Sequence, residues 1–212
     1  MGRHALKPAF TVLGLCGLSG SGKSRIAVEL AKAWNFSHIE VDELGHAALR
    51  AASTEIVAAF GPACLSGQGD IDRKYLGKLV FADPQALQKL ESIVHPRMVQ
   101  ETRALVAKAR QDWPALQGVI INAALLFHMG LHTLCDQIVI VRAPFLVRKR
   151  RIMQRDGLSE AAALQRLRTQ TLLLPKDIRH CADIVKVENR KGRLALRCLV
   201  NMRGRETWNR IK

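Results

Sequence analysis

With 212 residues, 48% of them hydrophobic, the chain is long enough to bury one substantial core carrying inserted subdomains. Its longest apolar stretch, 118–127, is far short of the roughly 20 residues that span a bilayer, and its N-terminus lacks a signal-peptide core with a cleavage site, which argues against a membrane-spanning or exported protein. The net charge of +15 is uneven: from Arg142 onward there are 19 Lys/Arg against 6 Asp/Glu, while residues 1–141 hold 14 against 12. That field suits polyanionic small molecules, RNA or an acidic membrane surface, and charge alone does not choose among them. Five cysteines, odd in number and without a CxxC pair, read as reduced thiols of a cytoplasmic protein, and no metal cluster is visible.

The first nine residues read as an unstructured leader. An apolar strand then runs from Phe10 to Cys16 and delivers Gly17-Leu18-Ser19-Gly20-Ser21-Gly22-Lys23-Ser24, a match to the phosphate-loop pattern GxxxxGK[ST]. The context strengthens the match, because Arg25 opens a helical pattern that reaches Trp34. Loop glycines let backbone N–H groups converge on phosphate oxygens, and the helix points its positive end at the same place. Residues 18–25 are therefore the expected nucleotide contacts. Lys23 is placed to reach the β- and γ-phosphates and the Ser24 hydroxyl to ligate Mg²⁺.

A second strand is predicted over 37–41, ending at Asp42, a strand tip of the kind near which ligands collect in open α/β sheets. Helical periodicity fills 43–113, with segments at 43–52, 55–60, 73–80, 85–94 and 97–111. Asp72 and Asp83 read as N-caps, the latter followed by Pro84, and Pro96 fits the first turn of the last segment. Buried parallel strands are predicted at 118–122 and 137–141. A basic helix from Pro144 to Asp156 ends at Gly157, Ser159 starts another that reaches Gln170, and a weaker strand at 184–187 precedes a final helix from about Lys191.

Taken together, the separated motifs resemble the bacterial dephospho-coenzyme A kinase family along nearly the whole chain. Besides the loop, they are Glu40-Val41-Asp42-Glu43-Leu44-Gly45-His46, Phe60-Gly61, Gly69-Asp70-Ile71-Asp72-Arg73, 79–84, His95-Pro96, and the stretch 151–159 followed by Gln170, Lys176 and Ala182-Asp183. The resemblance implies an α/β fold of the P-loop kinase type: a three-layer α/β/α arrangement on a parallel sheet with a helical substrate-binding insertion and a helical lid. The implied division is a nucleotide-binding core of 1–42, 114–145 and 181–212, a substrate domain of 43–113, and a lid of 146–180.

The implied reaction is transfer of the γ-phosphoryl group of ATP, with Mg²⁺, to the ribose 3′-hydroxyl of dephospho-coenzyme A, the last step of coenzyme A synthesis. In that reading Asp42 is the general base and Lys23 a catalytic cation. Ser24 and Glu40 serve the metal, and His46 and His95 the substrate. Arg151 and Arg155, spaced i, i+4 on one helical face, are expected to reach the same triphosphate with catalytic effect. The partner is the small-molecule substrate, membrane and nucleic acid are not expected, and the state is a monomer or weak oligomer.

Departures from the family pattern stand at Ala124 and His128, where proline and glutamate are usual, at Arg142, where a strand-end aspartate is expected, and at Leu173, in a stretch that lacks the lid's usual arginine. Two alternatives stay open. One is a P-loop kinase of another nucleoside or nucleotide; the other is a divergent nucleotide- or RNA-binding protein without kinase activity, which would lose affinity steeply with salt.

Overall fold

The computed structural model describes residues 10–67, 69–112, 114–169 and 184–190. The leader, the 170–183 stretch with Gln170, Leu173, Lys176 and Asp183, Cys181 and Cys198, and the helix expected from Lys191 lie outside the described residues.

Among the described residues five strands form one sheet: β1 (Thr11–Cys16), β2 (Phe36–Glu40), β3 (Gly118–Asn122), β4 (Gln137–Arg142) and β5 (Ile184–Glu188), in the order β2-β3-β1-β4-β5. All four pairings are parallel, which places every carboxyl end on one edge. β3 is buried at every position and β1 at all but the first. Continuous apolar runs such as Val119-Ile120-Ile121 are what a strand covered on both faces requires. Against this sheet packs α1 (Lys23–Trp34) through Ile26, Ala27, Leu30, Ala31 and Trp34, meeting Leu13, Leu15, Ile120, Val139 and Val185. Asn35 ends α1 in the left-handed conformation (φ 54°), its N–H donating to Ala31 O, so the chain reverses directly into β2.

The chain divides into two compact units. One comprises the described residues up to Glu40 and from Leu105 on, the other Val41–Ala104. In the second unit lie α2 (Val41–Ala51), α3 (Ser53–Phe60), a 3₁₀ turn at Pro62–Cys64, α4 (Arg73–Ala82) and most of α5 (Pro84–Gln111). Asp72 caps α4, its carboxylate accepting from Lys74 N at 2.9 Å and Tyr75 N at 3.0 Å; Asp83 does the same for Gln85 N at 2.8 Å. Both caps match the sequence reading.

Two expectations are corrected. The second strand stops at Glu40 rather than Val41, and α2 begins at once, so Asp42 lies in the first turn of a helix and not on a strand tip. Acidic Asp42 and Glu43 suit that turn, because the helix N-terminus favours negative charge. The segments 85–94 and 97–111 form one 28-residue helix with Pro96 inside it, not two helices with Pro96 at a start. Proline withdraws an N–H from the helical ladder and crowds the preceding turn. There the Arg97 guanidinium donates to Ile93 O at 2.9 Å and to Glu55 Oε1 at 2.7 Å, supplying a carbonyl of that turn with a side-chain donor.

In the first unit, α6 (Phe145–Asp156) ends at Gly157 and α7 (Glu160–Thr169) begins after Ser159, whose hydroxyl accepts from Ala162 N at 3.3 Å. The two helices share a small core of Ile152, Ala163 and Leu167. Asp156 closes their junction, accepting from Arg155 and, at 2.8 Å, from Arg166 of α7. The Arg155 hydrogen bond, more than any other influence, holds the Asp156 carboxyl below the usual carboxylate range. A depressed folded-state value means stabilisation that is complete above the unfolded pKa of about 3.9 and is lost as pH falls through the folded value. Exposed pairs are worth about 0.2–1 kcal/mol. Asp156→Asn is accordingly expected to accelerate amide exchange in α7 about two- to fivefold at pH 7. The difference from the parent protein should shrink as pH falls through the depressed folded-state value, below the usual carboxylate range, read by hydrogen exchange at pH 7 and along the acid limb.

Cys16, Cys64 and Cys135 are free and buried. Burial pushes the Cys16 and Cys135 thiols up to about 12, so both stay protonated at neutral pH. No described helix is long and apolar enough to cross a membrane.

Candidate active site

The segment between β1 and α1 turns on glycines held where other residues do not fit. Gly20 has φ 75°, and a Cβ there would meet the Arg148 carbonyl oxygen at 2.7 Å; Gly22 has φ 95°, and a Cβ would lie 2.4 Å from Asn189 Nδ2. These contacts belong to a buttress on the carbonyl side of the loop. Arg148, only 6% exposed, donates from Nε to Ser19 O at 2.9 Å. Arg151 donates from Nη1 to Gly20 O and Ser21 O at 3.2 and 3.1 Å, and from Nη2 to Asn189 O at 3.1 Å. Asn189, just past β5, donates from Nδ2 to Ser21 O at 2.7 Å and is itself held by its N–H on Arg142 O. With carbonyls tied down on one side, the loop's geometry is set before any ligand arrives.

Lys23 opens α1 and folds its ammonium back across the loop to Gly17 O at 2.7 Å. The first turn of α1 contains no acidic residue to compensate the positive helix end. Positive charge is crowded here: the Arg151 guanidinium is pulled below its ordinary pKa, first by burial and then by Arg150 and Arg25. Burial alone lowers Arg148. An anion on the loop would relieve that repulsion.

At the carboxyl ends of β2 and β3, Glu40 and Asn122 are register partners. The Asn122 amide nitrogen lies 2.7 Å from both Glu40 carboxylate oxygens and 3.2 Å from Ser24 Oγ. Ser24 and Glu40 thus come together as expected, through a residue to which the sequence reading assigned no role. Hydroxyl and carboxylate oxygens are the hard donors that Mg²⁺ accepts while keeping several waters, so this set fits that ion.

Arg151 and Arg155 do not act as a pair over one group in this structure. Arg151 is spent on loop carbonyls, and Arg155 donates to both Asp156 oxygens at 2.6 and 2.9 Å. The i, i+4 spacing put them on one face, but their acceptors differ. Leu18, Ser19, Gly20, Ser21, Gly22, Lys23, Ser24 and Arg25 all lie in the loop and the start of α1.

Asp42, His46 and His95 belong to the second unit, on α2, α2 and α5. His46 lines a cavity of about 160 Å³ with Leu49, Arg50, Asp70, Ile71 and Arg73. His95 is partly buried beside Pro96 and does not line it. Arg50 and Arg73 were not singled out by sequence, although Arg50 follows His46 by one helical turn.

Arg148, Asn189 and Asn122 were also missed. Arg148 is one of four consecutive basic residues, and the only hint to its burial is its place one turn before Ile152 on the apolar face of α6. Asn122 ends an apolar run at a strand's carboxyl edge, the place where ligand-handling residues gather.

Residues 11–192 match the family model described as dephospho-CoA kinase. The dephospho-CoA kinase of Anaeromyxobacter dehalogenans is 38% identical over 91% of this chain and 92% of its own length, and that of Geobacillus kaustophilus is 34% identical over 87% and 94%. Among solved structures, a Thermus thermophilus protein superposes with a TM-score of 0.72 at 31% identity, covering 91% of this chain and 95% of its own. A dephospho-CoA kinase from Campylobacter jejuni gives 0.62 at 25% identity, over 90% and 96%. The parallel sheet with its glycine loop is a P-loop kinase fold, and the chain belongs to the dephospho-CoA kinase family.

Proposed function

We propose that this chain transfers the γ-phosphoryl group of ATP to the ribose 3′-hydroxyl of dephospho-coenzyme A, yielding coenzyme A and ADP. The carrying observation is the convergence of a pre-shaped loop, Lys23, and the Ser24–Asn122–Glu40 cluster at the carboxyl edge of one parallel sheet. Loop N–H groups and the α1 terminus bind the triphosphate, while Lys23 stays with the charge that shifts during transfer. Ser24 and Glu40 would hold Mg²⁺, which would supply neutralisation of phosphate charge. Asp42 orients the acceptor hydroxyl and takes its proton.

In the substrate domain, 43–113, His46, Arg50 and Arg73 offer N–H donors to the acceptor's diphosphate, and His95 serves the same substrate. The lid, 146–180, excludes water so that the phosphoryl group meets an alcohol and not solvent. Arg148 and Arg151 anchor it to the loop, leaving Arg155 with a secondary part. The buried free thiols Cys16, Cys64 and Cys135 fit a reducing cytoplasm, where the chain works as a monomer or weak oligomer.

The test is purified protein with Mg·ATP and dephospho-coenzyme A, with coenzyme A detected by mass. Formation of coenzyme A, with no ADP release above background on nucleosides or nucleoside monophosphates, is the expected result. Equal turnover on that panel would overturn the acceptor assignment. Hydrolysis without acceptor as fast as transfer would overturn the lid.

A further inference from the structure

In phosphate-loop NTPases, the metal is commonly held by the loop Ser/Thr and an aspartate at a strand end. Here the strand beside β1 ends in an amide, Asn122, which is only 2% exposed. A carboxylate accepts and cannot donate, so the atom facing Glu40 must be the amide nitrogen. Its two hydrogens suffice for the observed set, one shared by the two Glu40 oxygens at 2.7 Å and one directed to Ser24 Oγ at 3.2 Å. The other amide atom, Oδ1, is buried without a hydrogen-bond partner. A buried acceptor left unpaired is costly, and it marks a place where a donor from outside the protein fits, such as water on a hydrated cation. An aspartate at 122 would instead set two carboxylates at the same short separation.

We propose that Asn122 is a positioning residue for the divalent cation: it fixes the Glu40 carboxylate and the Ser24 hydroxyl as a pair, and its carbonyl receives a cation-bound water. The carboxylate that serves the metal has thereby moved to the neighbouring strand, β2, with an amide as the organiser between it and the loop. This rests on ATP being the bound nucleotide, but not on which alcohol accepts the phosphoryl group.

The readout is binding without turnover. ATP affinity is measured by calorimetry with Mg²⁺ and again with EDTA, in the absence of any acceptor, for the parent chain and for Asn122→Leu. The leucine variant should keep its affinity in EDTA within about twofold, because Lys23 and the loop amides are untouched. The gain conferred by Mg²⁺ should fall about tenfold or more, the usual cost of removing a residue that orients a metal ligand. On a Glu40→Ala background, Asn122→Leu should add clearly less to the loss than it costs alone, since part of its action runs through Glu40.

Asn122→Ala, which asks for no extra space, replaces the leucine variant if thermal melting shows that one to be unfolded. An unchanged Mg²⁺ gain, an equal loss with and without Mg²⁺, independent effects of the two substitutions, or a parent chain with no Mg²⁺ gain would each overturn the proposal. A parent chain that binds Mg·ATP more tightly than ATP but makes no coenzyme A would sink the acceptor assignment alone.

Discussion

Replacing Lys23 by alanine is expected to lower kcat/KM by about 10²–10³-fold, the range seen when one preorganised donor to developing charge is removed. The ammonium spans the loop to Gly17 O at 2.7 Å, so on the proposed function its loss removes both a phosphate partner and a tie across the segment assigned to the triphosphate. ATP affinity and turnover should therefore fall together. Arg155→Ala should cost less, about tenfold at most, because its guanidinium is engaged with Asp156. Steady-state kinetics of both variants, with ATP binding followed by calorimetry, provide the comparison. A Lys23→Ala enzyme within tenfold of the parent, or an Arg155→Ala enzyme more damaged than it, contradicts the assignment of Lys23 as the principal cation.

Asp42→Asn is expected to reduce kcat by about 10²-fold while leaving ATP affinity within about threefold, since general-base contributions run from about 10² upward and nucleotide binding does not need this carboxylate. The lower end of that range is the reasonable one. Phosphoryl transfer passes through a loose transition state, in which alignment of the alcohol counts for more than the strength of the base. The exposed side chain sits in the first turn of α2, so exchanging carboxylate for amide also gives up a helix-dipole interaction of about 0.3–1 kcal/mol. Melting temperature should thus fall by only a few degrees. An unchanged kcat at saturating substrates would reduce Asp42 to that electrostatic part.

How far the sequence is legible depends on whether a feature is local. The inner strands are readable because apolar β-branched runs such as 118–122 and 137–141 leave little alternative to a buried parallel sheet, whereas β2, Phe36-Ser37-His38-Ile39-Glu40, carries no such run and ends one residue before the expected Val41. The caps at Asp72, Asp83 and Ser159 follow from side chains that bond backbone two or three residues away. Pro96 misled for a related reason: local rules place proline at a helix start, whereas α5 runs on through it. In the basic run 148–151, nothing in residue identity distinguishes buried Arg148 from its half-buried and exposed neighbours, because all four carry the same charge.

From the residues alone came the glycine loop, the strand that feeds it, the parallel α/β class, and Lys23 and Ser24 as candidates, since spacing along the chain encodes each of them, whereas Glu40 is a candidate only through the family resemblance. What only the folded chain decided is how those participants are held. The loop is clamped from behind by Arg148, Arg151 and Asn189, the last lying 168 positions from the Ser21 carbonyl it binds. Asn122 meets Ser24 and Glu40 from 98 and 82 positions away. Hydrogen bonds between such distant residues are fixed by strand order and register, which pairwise spacing in a sequence does not contain.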